Sequence, residues 1–378
     1  MQNHLVTSRV GLAVAALAVA TSCGARDTTG PTGHAGATGL ADPGGAPRAA
    51  AAPVPPADFA VVDGAWRRDP VGGRIASIDG LVGDGDTVWT VVSDGQNGGA
   101  SLLHRAVAGG AWSTDALADP SLGIAGAAVA LVGGQPEVAV AVMDPATLDV
   151  AYRVLSPGGA HEVLAEACSP RPVRLLDDPA GTVVVYTCAG RVHVARRAVG
   201  GAWQEHATVE QMPLVAAIDG AGDVHLLGGT IAGGPTHRIV HDGAVEAAPL
   251  PAEVYAVEDA VACGGVVHAT FEVRTGDAAD ARAVALGRLI DGAWQLDPVE
   301  SEWAGGAVLG FDEACHPFVA IGDQVWARGR DGWVDTRIGF DSESVRALLG
   351  RGGTLFAAYT VLKDSQRAGI ATATLRLE

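Results

Sequence analysis

The chain has 378 residues and a formal charge of −18, from 43 acidic and 25 basic side chains. That balance argues against nucleic acid and anionic lipid surfaces as partners, since the chain as a whole would repel both. Lys363 is the only lysine and Asn97 the only asparagine beyond Asn3, which removes Schiff-base chemistry elsewhere and any site built on several Asn ligands.

The N-terminus reads as a targeting segment. Arg9 and the free amino group form a positive start, followed by an unbroken apolar run from Val10 to Ala20. A membrane-crossing helix needs about 20 apolar residues, so this run has the length of a signal-peptide core instead. It ends in Ala20-Thr21-Ser22-Cys23, which resembles the bacterial lipobox. The resemblance implies that residues 1–22 are removed and that Cys23 is diacylated as the new N-terminus. An ordinary cleaved signal with Cys23 as an incidental thiol is the alternative. Gly24, being other than Asp, points to the outer membrane by the enterobacterial rule. Residues 23–57 are rich in Gly, Ala, Pro and Thr, with Leu40 and Val54 as the only large apolar side chains. Such a stretch cannot bury enough surface to offset the entropy of ordering it, so a disordered tether is expected.

Residues 58–378 carry a repeat. A Gly-Ala-Trp turn appears at Asp63–Trp66, Gly109–Trp112, Gly200–Trp203 and Asp291–Trp294, with altered copies around Gly159, Gly243 and Gly332. Between copies the order recurs: a strand-like run, a Gly/Asp turn, a very apolar run such as Thr182–Thr187, a run bearing Arg or His such as Arg191–Val199, then the turn and a polar fourth run. Val-rich runs of this length bounded by Gly and Asp are strands. Four strands in each unit of about 45 residues make a propeller blade. The expectation is a seven-bladed all-β propeller of four antiparallel strands per blade, with six or eight blades also compatible. Blades fall at about 74–118, 123–167, 171–210, 213–251, 253–300, 303–339 and 343–378, the last completed by 58–71. The C-terminus supplies only three runs while the N-terminus has a spare one, so Trp66–Val71 is expected to close the ring.

Recurrence decides how the conspicuous side chains are read. A Trp after the same turn in most blades is expected to pack between blades. His225 and His268 share a blade position with Trp89, Phe318 and Phe356, which marks a packing position ahead of a metal site. Asp84-Gly85 and Asp219-Gly220 are turn chemistry, and none forms the alternating acidic loop that calcium requires. Beyond Cys23 there are four cysteines, an even number suited to an oxidising compartment. Their blade positions put Cys168 and Cys188 on one face and Cys263 and Cys315 on the other, so those two pairings are expected.

No nucleophile elbow, phosphate loop or metal-ligand cluster is present, so no catalytic, cofactor or metal residue is assigned. No blade has the sialidase Asp-box, Asn is too scarce for calcium lactonases, and the Gly-to-Trp spacing is shorter than in quinone-dependent dehydrogenases. A glycosidase, which needs only two placed carboxylates, stays open. Taken together, lipobox, tether and repeat resemble the exported β-propeller lipoproteins of GC-rich bacteria. The resemblance implies a monomer on the cell envelope, held to the membrane only through lipid on Cys23. It would bind an envelope or extracellular protein or glycan; a propeller hydrolase acting on carbohydrate is the alternative.

Overall fold

In the computed structural model, the described residues are 66–72, 76–94, 99–117, 123–155, 161–178, 180–210, 213–230, 233–275, 281–299, 305–329, 332–338, 344–363 and 366–377. Cys23, the targeting segment, the tether and Asn97 lie outside them. All 28 described strands fall into seven four-stranded antiparallel sheets. Blades 1 to 6 each run in sequence order, and the first strands, beginning at Ala76, Gly123, Arg174, Pro213, Val254, Val308 and Ser344, contact one another around an inner ring. Blade 7 takes three strands from the C-terminus and its outer one from Arg67–Gly72, which pairs antiparallel with Gln366–Arg376, Arg67 opposite Thr374. The protein is a seven-bladed β-propeller closed by its N-terminal strand.

The second strand of each blade explains why the sequence reads as continuous apolar runs. In blade 3, Val183 and Val185 face the core shared with blade 4, while Val184 and Tyr186 face the core shared with blade 2. Alternate side chains of one strand thus enter two different cores, so both parities are mostly apolar. Seven apolar clusters result, one at each blade junction.

The recurrent tryptophans join those cores from outside, each towards the preceding blade. Trp66 donates its indole N–H to Thr336 of blade 6 and Trp112 donates to Thr372 of blade 7, both at 3.1 Å. Trp203 packs on the core of blades 2 and 3, and Trp333 on that of blades 5 and 6. Trp294 meets Phe271 edge-on at 4.9 Å between centroids. A Cβ on Gly287 would lie 2.3 Å from the Phe271 ring, so only glycine leaves room for that pair.

One face of the ring is latched at every junction, mostly through the turns after the first strands. Asp84 abuts Gly134 closely enough to bar a side chain there. Arg197 of blade 3 pairs with Glu137 and Glu162 of blade 2, and Arg196 joins Asp178 to the Gly222 carbonyl of blade 4. Gly220 N–H donates to Gly265 O at 2.9 Å, and a disulfide joins Cys263 to Cys315. Glu313 accepts from Gly352 N–H at 2.9 Å, and Arg351 donates to Gly83 O, returning to blade 1. On the opposite face a second disulfide, Cys168–Cys188, ties blade 2 to blade 3.

Removing residues 1–72 should strip the outer strand from blade 7 and leave Gln366–Arg376 as an open edge. The expected result is a Tm lower by several degrees and concentration-dependent aggregation, measured by differential scanning calorimetry with light scattering.

Candidate functional site

The first strands form the wall of the central channel, and five of them carry a β-bulge. Blade 5 carries two, at Val254/Ala256 and Val257/Asp259. A bulge adds a residue without advancing the pairing and re-aims the side chains beside it. Two of them three residues apart turn the strand's period of two into three. Val254, Val257 and Ala260 enter the core with blade 4, while Tyr255, Ala256, Glu258 and Asp259 stay outside it.

This produces a polar group towards the face of the ring that carries the Cys168–Cys188 disulfide. Glu258 accepts the Gly306 N–H at 3.0 Å, and Asp259 accepts the N–H groups of Leu309 at 3.0 Å and Ala260 at 2.9 Å. Thr270 donates to the Ala307 carbonyl at 3.3 Å, so the segment entering blade 6 is strapped down by blade 5. Burial lifts the Asp259 carboxyl above the usual carboxylate range, against those N–H donors and the positive charge of Arg174 from blade 3. Nearer the rim, the Arg282 guanidinium lies 3.5 Å from the Tyr255 ring centroid and that of Arg274 lies 5.6 Å away. Arg282 also donates to Glu272 at 2.8 Å. On the neighbouring arc Pro172, Arg174, Tyr186, Thr187 and Val215 line a shallow cleft between blades 3 and 4.

The histidines divide. His225 and His237, both almost fully buried, stand 2.9 Å apart, with Trp294 at 3.4 Å on one side and Asp219 at 3.4 Å on the other. Trp is donor-only and carboxylate acceptor-only, so the chain has one direction. Trp294 Nε1–H donates to His237 Nδ1, His237 Nε2–H to His225 Nδ1, and His225 Nε2–H to Asp219. The chain thereby fixes which nitrogen of each ring donates. Burial, aided by His225, drives the His237 pKa down to about 3. Asp219 is held below the usual range despite burial by His225 and by the backbone N–H of Asp223 and Ala221. This is a turn and packing network. His268 is 5% exposed, lies 4.7 Å from the Phe311 ring of blade 6 and has no partner for either nitrogen. Burial, aided by Arg288, brings its pKa to about 4.

The disulfides, the tryptophans and His225 therefore serve the ring. Among the described residues no group of three His, Cys, Asp or Glu could hold a metal ion. The polar group of blade 5 was not singled out from the sequence. Its run Val254–Cys263 is apolar except at Glu258 and Asp259, and only the structure shows that the buried positions fall at every third residue, Val254, Val257 and Ala260.

No protein-family model matches the chain, and neither does any curated protein. Solved structures do match in shape. A catalytically inactive variant of virginiamycin B lyase from Staphylococcus aureus with quinupristin superposes at a TM-score of 0.59 with 10% identity, covering 82% of this chain and 98% of that one. Kuenenia stuttgartiensis hydrazine synthase superposes at a TM-score of 0.53 with 14% identity, covering 81% and 99%. At such identities the likeness establishes the propeller fold alone.

The buried histidines make stability depend on acid. Both folded pKa values lie below the ordinary 6.5, so the unfolded chain takes up protons first. Stability is full above about pH 6.5 and falls as pH drops towards 4 and then 3, by on the order of several kcal/mol. His268→Phe, which places at this position the ring that blades 6 and 7 already carry, should raise stability by about 1–3 kcal/mol at pH 7 and flatten the acid limb. Urea unfolding at pH 7 and pH 5 measures both.

Proposed function

We propose that this chain is a non-catalytic binding propeller of the cell envelope, exported by residues 1–22 and held by lipid on Cys23 through the tether 23–57. Its ligand is an extracellular or envelope protein or glycan, taken on the face that carries the second-to-third and fourth-to-first connections. The observation behind this reading is the distribution of polar side chains between the two faces. On one face they are spent on latching blade to blade. The inner rim of the other presents Tyr255 and the exposed Arg274, while the first strands of blades 1, 2 and 7 are rich in Ala, Val, Leu and Gly. Polar and aromatic groups on a rigid rim are what recognition requires.

A carbohydrate hydrolase is the second reading. It is favoured by Asp259, whose carboxyl is raised by burial, lying next in sequence to Glu258. Raised carboxyls are the mark of general acids. Against it, both carboxylates already accept backbone N–H groups from blade 6, the geometry of a structural tie.

Three measurements decide. Metabolic palmitate labelling should mark the native chain and not Cys23→Ser, which should leave the membrane fraction. The purified chain, immobilised on beads and on a glycan array, should retain a specific envelope component. That retention should fall on Glu258→Lys and persist on Asp242→Arg at the latched face. Failure to retain anything, with turnover of a chromogenic glycoside that Asp259→Asn abolishes, overturns the binding reading in favour of the hydrolase.

A further inference from the structure

We propose that the inner rim of blade 5 is a subsite for an acidic sugar chain, whose carboxylate docks on Arg274 and Arg282 beside Tyr255 while Glu258 accepts from its hydroxyls. The inference rests on the reading of this face as the ligand face, and narrows it to one chemistry.

The first observation is electrostatic. Arg274 and Arg282 are direct cross-strand partners at the hairpin end of their strand pair. Like charges placed directly opposite destabilise a strand pair. Glu272 relieves only one of them, pairing with Arg282 at 2.8 Å. Arg274 is exposed and has no carboxylate within ion-pair distance among the described residues. A guanidinium presents a planar fork suited to a carboxylate, and the ring of Tyr255, 3.5 Å from one guanidinium and 5.6 Å from the other, orients the pair. A carboxylate seated between them would turn an unfavourable pair into a favourable triad.

The second observation is geometric. Tyr255 sits at the first bulge of this strand and Glu258 at the second. Among the described first strands no other carries two bulges, and bulges concentrate where a strand must aim side chains at a site. Three residues of regular strand span about 10 Å, and the bulges shorten that, so one short oligosaccharide can reach both Tyr255 with its guanidinium neighbours and Glu258. The forks supply only donors. Glu258, with one oxygen committed to Gly306 N–H, keeps acceptor capacity. A sugar acid carries the matching set, a carboxylate for the donors and hydroxyls for the acceptor. A peptide would want an apolar groove for its side chains, and Ala256 between the two bulges offers none.

The test is titration calorimetry of the purified full chain with three probes: tetragalacturonate, its fully methyl-esterified form and a tetraglutamate peptide. Tetragalacturonate should bind and weaken with salt, and the ester and the peptide should bind about tenfold more weakly or worse. Arg274→Gln should lose about tenfold in affinity for the acid while its Tm stays level or rises by about 1–3 °C, because a like-charge contact is removed. Arg274→Lys, which keeps the charge without the fork, should fall between the two at unchanged Tm. Equal binding of acid and ester, or undiminished binding by Arg274→Gln, overturns the subsite while leaving a ligand on this face intact. Tetraglutamate as the tighter probe, or no binding of any probe, overturns it as well, and retention of an envelope component then still decides the broader reading. A fallen Tm in both Arg274 variants assigns the pair to the fold and overturns the proposal.

Discussion

Everything in this ring depends on one arrangement: the second strand of each blade is wedged between two neighbours and belongs to both cores. Val183 and Val185 look one way and Val184 the other, and none has meaningful contact with water. Fully burying one such side chain is worth roughly 1.5–3 kcal/mol. The gain is available only when the adjacent blade is present. A blade is therefore not a domain, and a core substitution is felt by both blades that share that core.

The position at the entry of the second strand shows how different residues meet that constraint. Phe318 and Phe356 fill it without polar atoms, and both are fully buried. Glu137 fills it in blade 2 and is matched by Arg197 from the next blade. His225 is matched by a line of donors that starts on Trp294 and ends on Asp219. His268 alone is buried there without a match. Identical backbone slots have been satisfied by unrelated chemistry, which is why no consensus beyond the turn is visible across the repeats.

The repeat itself was legible because its period is set by chain geometry: the glycine of each turn returns every 40–50 residues whatever the intervening side chains do. Blade number, strand order and the closing role of the segment after Trp66 follow from counting those turns. The inter-blade role of the tryptophans was legible for the same reason, since a function would not need a copy in every blade. The group around Tyr255 was not. Its existence depends on two inserted residues that shift register, and strand register is not written in a hydrophobic pattern that the bulges themselves disrupt. Nor could Arg274 and Arg282 be recognised as neighbours before the pairing of their strands was known.

The closing pair has a consequence in time. Arg67 meets Thr374, a contact spanning about 300 residues of chain, and contacts so distant in sequence are slow to form. Blades 1 to 6 can assemble progressively, each on the one before. Blade 7 cannot, because its outer strand lies ahead of blade 1 in sequence and its other three strands lie after blade 6. Until those strands meet, the ring is an arc with two sticky edges. Its final lock is a single event that joins the first and last strands of the propeller.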